Sequence, residues 1–348
     1  MGSSSSVRFG LVGAGVGGGL AASAMQMLEK EGVAHFAVVC DSVQKRAQDC
    51  AASFGIHKCT TNYSEMLSSG EVDAVSISTP HYLHFPMALE AIGAGINVLL
   101  DKPMAMNTKE VDELISRAKM KPVTLGVMLQ NRMSDDSQAA KRAIESGDMG
   151  KLVLGEATVK WFRDRDYYSA SWWRGRKATE GGGVLINQAI HTLDLLLWLM
   201  GPAKSVTATV DTLYHNIEVE DVATATLRFE SGALGIVQAS TVTYPGFPSR
   251  LEIHGTEGCA LFEMDRLRKL IRKGKEESVA EIAQQTQGSW TKPEAVQVTN
   301  HYRVLKDFSL AVREGKSPLI DGAEGRRSVE LIEAIYRSSA SGERQELA

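Results

Sequence analysis

A chain of 348 residues, 43% apolar and 23% charged, is long enough for two domains with separate cores. Its net charge of −4, without a basic run or basic-aromatic alternation, excludes a nucleic-acid partner from the expected function. Cys40, Cys50, Cys59 and Cys259 form no CxxC pair and no metal spacing with histidine, so reduced thiols in a cytoplasmic protein are expected, and no metal.

The start, Met1-Gly2-Ser3-Ser4-Ser5-Ser6, fits a myristoylation pattern but reads as a serine-rich leader or a disordered end. No secretory signal is expected, because the first apolar run lacks a basic region and is broken by glycines. No segment is expected to reach the length of a membrane span.

Residues 7–12 read as a short buried strand that runs directly into Gly13-Ala14-Gly15-Val16-Gly17-Gly18. A helix over 20–31 follows, then a strand over 36–40 ending at Asp41. Strand, glycine turn, helix, strand and acid, in that order, make the dinucleotide fingerprint in its required context. Gly13 makes the tight turn, Gly15 lets a pyrophosphate approach the helix N-terminus, and Gly18 seats the helix against the strand. Asp41 suits a ribose 2′-hydroxyl and repels a 2′-phosphate, which favours NAD over NADP. Val16, Ser42 and Arg46 are placed beside the same cofactor, and the basic pair Lys45 and Arg46 partly offsets the repulsion.

The α/β alternation continues with strands over 74–78, 97–100 and 123–129 and helices over 85–94 and 108–119. Ligands of an open parallel sheet lie off the carboxyl ends of its strands. Thr79, Pro80 and His84 follow one such end, and Asp101-Lys102-Pro103 follows the next. The expected first domain is 1–130, a Rossmann fold.

A helix over 136–146 opens the second domain, expected to span 131–348. Strand-like stretches then recur at 153–161, 205–213, 222–229, 234–243 and 250–262, the clearest being Val222-Ala-Thr-Ala-Thr-Ala-Leu227. They predict a large open, mostly antiparallel sheet in an α/β domain. Only the late helical runs 302–313 and 323–339 are available to cover its second face, which otherwise suits another subunit. The charged, Gln-rich stretch 269–287 reads as a mobile excursion.

The segment 180–201 is the focus of this half. Three glycines lead into one apolar helix that Gly201-Pro202 ends. Asn187, His191 and Asp194, at i, i+4 and i+7, share a single polar stripe on it. Buried polar groups need partners, so the stripe is a closed network or the wall of a site, and the glycines mark a close approach to the backbone.

Taken together, these residues resemble the Gfo/Idh/MocA oxidoreductase family over nearly the whole chain. The marks are the fingerprint, a Glu-Lys-Pro motif present here as Asp101-Lys102-Pro103, and the GGG…His…Asp segment. Many members carry aspartate where this chain has Asn187, so a second carboxylate beside the histidine is absent. Tyr167-Tyr168, Trp173-Arg174-Gly175, Glu218-Val219-Glu220-Asp221 and Tyr244-Pro245-Gly246 are similar to a branch that oxidises the C3 hydroxyl of UDP-N-acetylglucosaminuronic acid. The resemblance implies a homodimer or homotetramer formed through the open sheet.

Oxidising a secondary alcohol needs a base for the hydroxyl proton and an acceptor for the hydride. His191 is the expected base, and Lys102 the expected donor to the same oxygen. Asn187, Asp194, Arg132, Arg163, Trp173 and Tyr168 are expected at the carbohydrate substrate, and Arg174 at the cofactor. Two other readings share these residues. One is an NAD-dependent glycosidase that oxidises C3 transiently and eliminates the aglycone. The other is a sensor that binds NAD(H) without turnover.

Overall fold

The computed structural model describes residues 6–273, 275–278 and 298–347. The first five residues of the serine-rich start, and residues 274 and 279–287 of the expected mobile excursion, lie outside the described residues. The chain divides into two compact units, Met1–Gln130 with Gln297–Arg326, and Asn131–Val296 with Arg327–Ala348.

The first unit is a six-stranded parallel sheet of β1 (Val7–Val12), β2 (Ala34–Cys40), β3 (Lys58–Thr60), β4 (Ala74–Ile77), β5 (Asn97–Leu100) and β6 (Leu125–Val127), in the order β3-β2-β1-β4-β5-β6. The strands are near-continuous apolar runs, as a sheet covered on both faces requires. The connecting helices are α1 (Val16–Lys30), α2 (Gln44–Phe54), α3 (Tyr63–Ser68), α4 (His81–Gly93) and α5 (Thr108–Met120). Strand order reverses between β1 and β4, so the ends of those strands, where Gly13 and Thr79 lie, form the switch point at which such sheets bind ligands.

The later helix Thr299–Glu314, expected in the second domain, groups with this unit, whose first segment ends at Gln130. Its buried residues Val304, Leu305, Phe308 and Ala311 recur at helical spacing, and the Phe308 ring lies 6.1 Å from that of Phe9 on β1. Gly126 on β6 leaves the room Phe308 occupies, since a Cβ there would come within 2.8 Å of that ring.

In the second unit, α6 (Asp135–Glu145) starts on Ser134, whose Oγ accepts from the Ser137 N–H. A mixed nine-stranded sheet follows, formed by β7 (Leu152–Lys160), β8 (Ala203–Asp211), β9 (Val222–Phe229), β10 (Leu234–Ser240), β11 (Arg250–Gly255), β12 (Gly258–Glu263), β13 (Arg266–Arg272), β14 (Lys275–Ser278) and β15 (Gln345–Glu346). All neighbouring pairs are antiparallel except β10 with β7. The stretch expected as one strand over 250–262 is two, because Thr256 and Glu257 turn the chain and bond back to Lys151 and Met149. Residues 269–272, expected in a mobile excursion, are ordered as part of β13.

One face of this sheet packs on the core. Ala223, Ala225, Leu227 and Phe229 of β9 point inward, while Thr224, Thr226 and Arg228 are exposed. Thr226 pairs with Thr207 and Thr224 with Thr209 on β8, so the exposed face carries threonine rows. Leu331, Ile332 and Ile335 of the last long helix, Gly322–Ser341, join the same core cluster as the apolar helix; they do not cover the other face.

The run expected as one helix over 180–201 is broken into α7 (Lys177–Glu180), a bend at Gly181–Gly183, a π-helical turn over Leu185–Ala189 and α8 (Ile190–Met200). By length and hydropathy alone, Lys177–Met200 qualifies as a membrane span, contrary to expectation, yet 83% of its apolar window is buried. Leu193, Leu195, Leu196, Leu197 and Leu199 all enter the core, so it is a core helix.

Candidate active site

In the first unit the glycine turn is fixed by close packing. Gly13 has φ +89°, and a Cβ there would fall 2.4 Å from Ser78 O, while one on Gly18 would fall 1.9 Å from Gly13 O. At Gly15 a Cβ would meet nothing within 4 Å. Gly15 also caps α1 without a side-chain hydrogen bond, and no acidic residue lies in the first turn. Its amides thus face open space at the positive end of the helix, a cradle that fits a pyrophosphate. Val16, next in line, is exposed.

Asp41 is buried at the end of β2 and held from three sides. Its oxygens accept from Ala14 N at 2.8 Å, Val43 N at 2.8 Å and Arg46 Nε at 3.1 Å. Arg46 is thereby paired with Asp41, and Lys45 is paired with Asp49 at 2.9 Å. The two bases expected to soften the repulsion of a 2′-phosphate are both engaged, which leaves the preference with NAD. Thr79, at the end of β4, has its Oγ1 buried without a partner among the described residues, a group suited to a ligand.

Lys102 follows β5 in a turn whose Lys102–Pro103 peptide is cis, and its N–H donates to Asp101 Oδ1 at 2.7 Å. His84, expected against the cofactor, is instead fully buried, with both ring nitrogens at backbone carbonyls. It lines the protein interior because its ring fills the space between two strand-end turns.

In the second unit the close approach expected at the glycines is made by the protein itself at Gly182 and Gly183. A Cβ on Gly182 would lie 2.1 Å from Tyr336 Oη, and one on Gly183 1.8 Å from Glu220 O. Protein occupies that space. Buried Glu220 accepts from Gly183 N at 2.8 Å, Leu185 N at 3.0 Å and Tyr336 Oη at 2.9 Å, so its carboxylate satisfies the amides that open the π-helical turn. Burial pushes its pKa up.

Asn187 lies on the π-helical turn, a local irregularity that often marks functional sites. Its Nδ2 donates to Glu180 Oε1 at 2.5 Å, and Glu180 Oε2 accepts from Gly175 N at 2.5 Å. Burial pushes the Glu180 carboxyl up to about 7, against the pull of those hydrogen bonds and of Arg174. Gln188 Nε2 donates to Tyr167 Oη at 3.1 Å, and the guanidinium carbons of Arg174 and Arg163 stand 4.3 and 5.3 Å from the Tyr167 ring. Glu180, Tyr167 and Gln188 were not among the expected site residues. For Glu180 the sequence held a signal, a carboxylate seven residues before Asn187, although the bend at Gly181–Gly183 interrupts the helical spacing.

Within Ile190–Met200, His191 and Trp198 alone are partly exposed; every other position is buried. His191 therefore presents a partly exposed imidazole on a helix that is otherwise almost wholly buried.

Four residues expected at the substrate are engaged with other parts of the protein. Asp194 receives Arg132 Nε at 2.8 Å and Nη2 at 2.6 Å, and both side chains are buried. They neutralise each other as a two-pronged ion pair, so neither is a freely facing substrate group. The Tyr168 hydroxyl bonds Thr241 Oγ1 at 3.1 Å and its ring packs 4.7 Å from His215, which makes it structural. Arg163 is buried, donates to Phe162 O at 2.9 Å and stacks 5.0 Å over Trp161; burial lowers its pKa. Trp173 is partly exposed, with Arg174 5.2 Å over its ring, and Arg174 Nε has no acceptor among the described residues.

Residues 7–129 match the model of the oxidoreductase family with an NAD-binding Rossmann fold, and residues 137–261 match the GFO/IDH/MocA C-terminal domain. The chain is 31% identical to the WlbA dehydrogenase of Bordetella pertussis, solved with NADH and UDP-GlcNAcA, with a TM-score of 0.86 and 99% of each chain covered. It is 31% identical to an oxidoreductase of Synechocystis over 65% of this chain and 64% of that protein's length. It is 25% identical to the levoglucosan dehydrogenase of Pseudarthrobacter phenanthrenivorans over 87% of each.

Proposed function

Because the chain belongs to the Gfo/Idh/MocA family of NAD-binding oxidoreductases, we propose that it oxidises a secondary hydroxyl of a sugar or polyol, with C3 of a nucleotide-linked uronic sugar as the best-fitting substrate. The observation that carries the reading is the open cradle at Gly15 in the same unit as a lysine fixed at a strand end. Whole-length likeness to a dehydrogenase solved with NADH and UDP-GlcNAcA supports the substrate class.

The cradle residues Gly13, Gly15 and Gly18, with Asp41, would hold NAD, which when bound supplies the hydride acceptor. In this reading His191 takes the hydroxyl proton, and Lys102 donates a hydrogen bond to the same oxygen, stabilising developing alkoxide. Glu180 fixes the Asn187 amide by accepting a hydrogen bond from its Nδ2, an orientation that directs Oδ1 toward a sugar hydroxyl. Arg174, stacked on Tyr167 with a buried Nε that lacks an acceptor among the described residues, is the group for a carboxylate or phosphate on the substrate. Assembly into a homodimer or homotetramer on the exposed sheet face belongs to the same proposal, with light scattering as its check. The four free cysteines suit a reducing, cytoplasmic location.

The test is a panel of nucleotide sugars, glycosides and inositols with NAD, followed by NADH absorbance and product analysis. Stoichiometric NADH with a uronic nucleotide sugar is the expected result. Release of free sugar without net NADH would instead make the protein a glycosidase. Tight NADH binding with no turnover on any member would make it a sensor.

A further inference from the structure

His84 takes no part in the chemistry above, yet its surroundings are unusual for a histidine. It sits in the first turn of α4 and is 0% exposed. Its Nδ1 lies 2.7 Å from Pro103 O and its Nε2 2.8 Å from Thr79 O. A neutral imidazole has one N–H, so in either tautomer one carbonyl would face a ring lone pair at hydrogen-bond distance. Both contacts are attractive only when both nitrogens carry protons.

Other groups act on the ring as well. Asp101 favours the cation, Lys102 opposes it, and the His81 ring packs 5.9 Å away in a tilted arrangement. Burial is the largest influence and lowers the pKa; Pro103 O, Asp101 and Thr79 O oppose it. The geometry decides the balance. A dry lone pair against a carbonyl lone pair leaves an acceptor unsatisfied on each side, whereas the imidazolium satisfies both carbonyls with charge-assisted bonds.

We propose that His84 is a positioning residue, held as an imidazolium that clamps the Thr79–Pro80 turn after β4 to the Lys102–Pro103 turn after β5. The backbone of Lys102 is then fixed on one side by Asp101, which accepts its N–H, and on the other by His84, which holds the next carbonyl. Loss of the clamp frees the lysine turn without touching substrate. The consequence for turnover rests on the role proposed above for Lys102, but the protonation state does not.

Long-range proton–nitrogen NMR of the cofactor-free protein labelled with ¹⁵N-histidine tests the clamp directly, with the His84 signals identified by their loss in His84→Gln. Both ring nitrogens are expected to show N–H-type shifts at pH 7. A nitrogen with a lone-pair shift at that pH overturns the proposal. Glutamine can reach one carbonyl only, so His84→Gln is expected to lower kcat ~10-fold while KM for the alcohol holds. An unchanged kcat would remove the positioning role. Should that variant fail to fold, the remaining seven histidines can be assigned by single substitutions and the wild-type spectrum still decides. Should no alcohol be oxidised, the spectrum decides the clamp separately from the proposed function.

Discussion

The chain contains two glycine-rich bends, and they do opposite things. At Gly13–Gly18 one glycine, Gly15, opens onto space that none of the described residues fills. At Gly181–Gly183 the space beside Gly182 and Gly183 is filled by Tyr336 and Glu220. The first bend leaves room for a ligand; the second lets the protein approach itself. A glycine cluster in a sequence is therefore evidence of close approach, and only the neighbours say by what.

The largest expected effect probes the packed side of that contrast. Asp194→Ala leaves Arg132 as a buried, uncompensated charge and should cost ~3–5 kcal/mol of stability. Denaturant unfolding measures it; a loss below ~1 kcal/mol would mean the pair is not buried as described.

Next come the two groups assigned to chemistry. Lys102→Ala and His191→Ala should each reduce turnover ~10²-fold or more, about 3 kcal/mol of transition-state stabilisation, with NADH affinity by fluorescence retained. Near wild-type turnover in His191→Ala would end its assignment as the base.

The two bends can then be set directly against each other. Gly183→Ala drives a Cβ into a backbone carbonyl and should destabilise by ~3 kcal/mol, whereas Gly15→Ala should leave the melting temperature nearly unchanged and weaken NADH binding ~10-fold. If both variants lose stability equally, the distinction between an open and a filled bend fails.

The last effect, confined to a pH window, concerns Glu180. Its folded pKa, pushed up to about 7 from 4.5, means the folded state binds the extra proton between those values. Its contribution is complete below about pH 4.5 and is lost as pH rises through about 7, up to about 3 kcal/mol in all. Glu180→Gln should flatten that part of the stability–pH curve, and a slope unchanged by the substitution would mean the carboxyl titrates normally.

Much of the first unit was legible because its code is local. Strand, Gly13–Gly18, helix, strand and Asp41 lie within a few dozen consecutive residues, and the backbone geometry each needs is set by its immediate neighbours. The helix Thr299–Glu314 was not assignable to this unit, because its amphipathic face states that it packs but not on which sheet.

In the second unit, residue alternation determined the sheet, down to the inward alanines and outward threonines of β9. The polar residues were another matter. Helical spacing put Asn187, His191 and Asp194 on one stripe, but the π-helical turn and the reach of Arg132 from 62 residues away gave them separate partners: Glu180 for Asn187, Arg132 for Asp194. Sequence by itself determined most strands and helices and the glycine turn of the dinucleotide-binding fold, because periodicity and turn geometry act over short stretches. Only the tertiary structure decided which charges are cancelled in the core and which are held facing out, because burial and pairing depend on groups that the chain brings together from far apart.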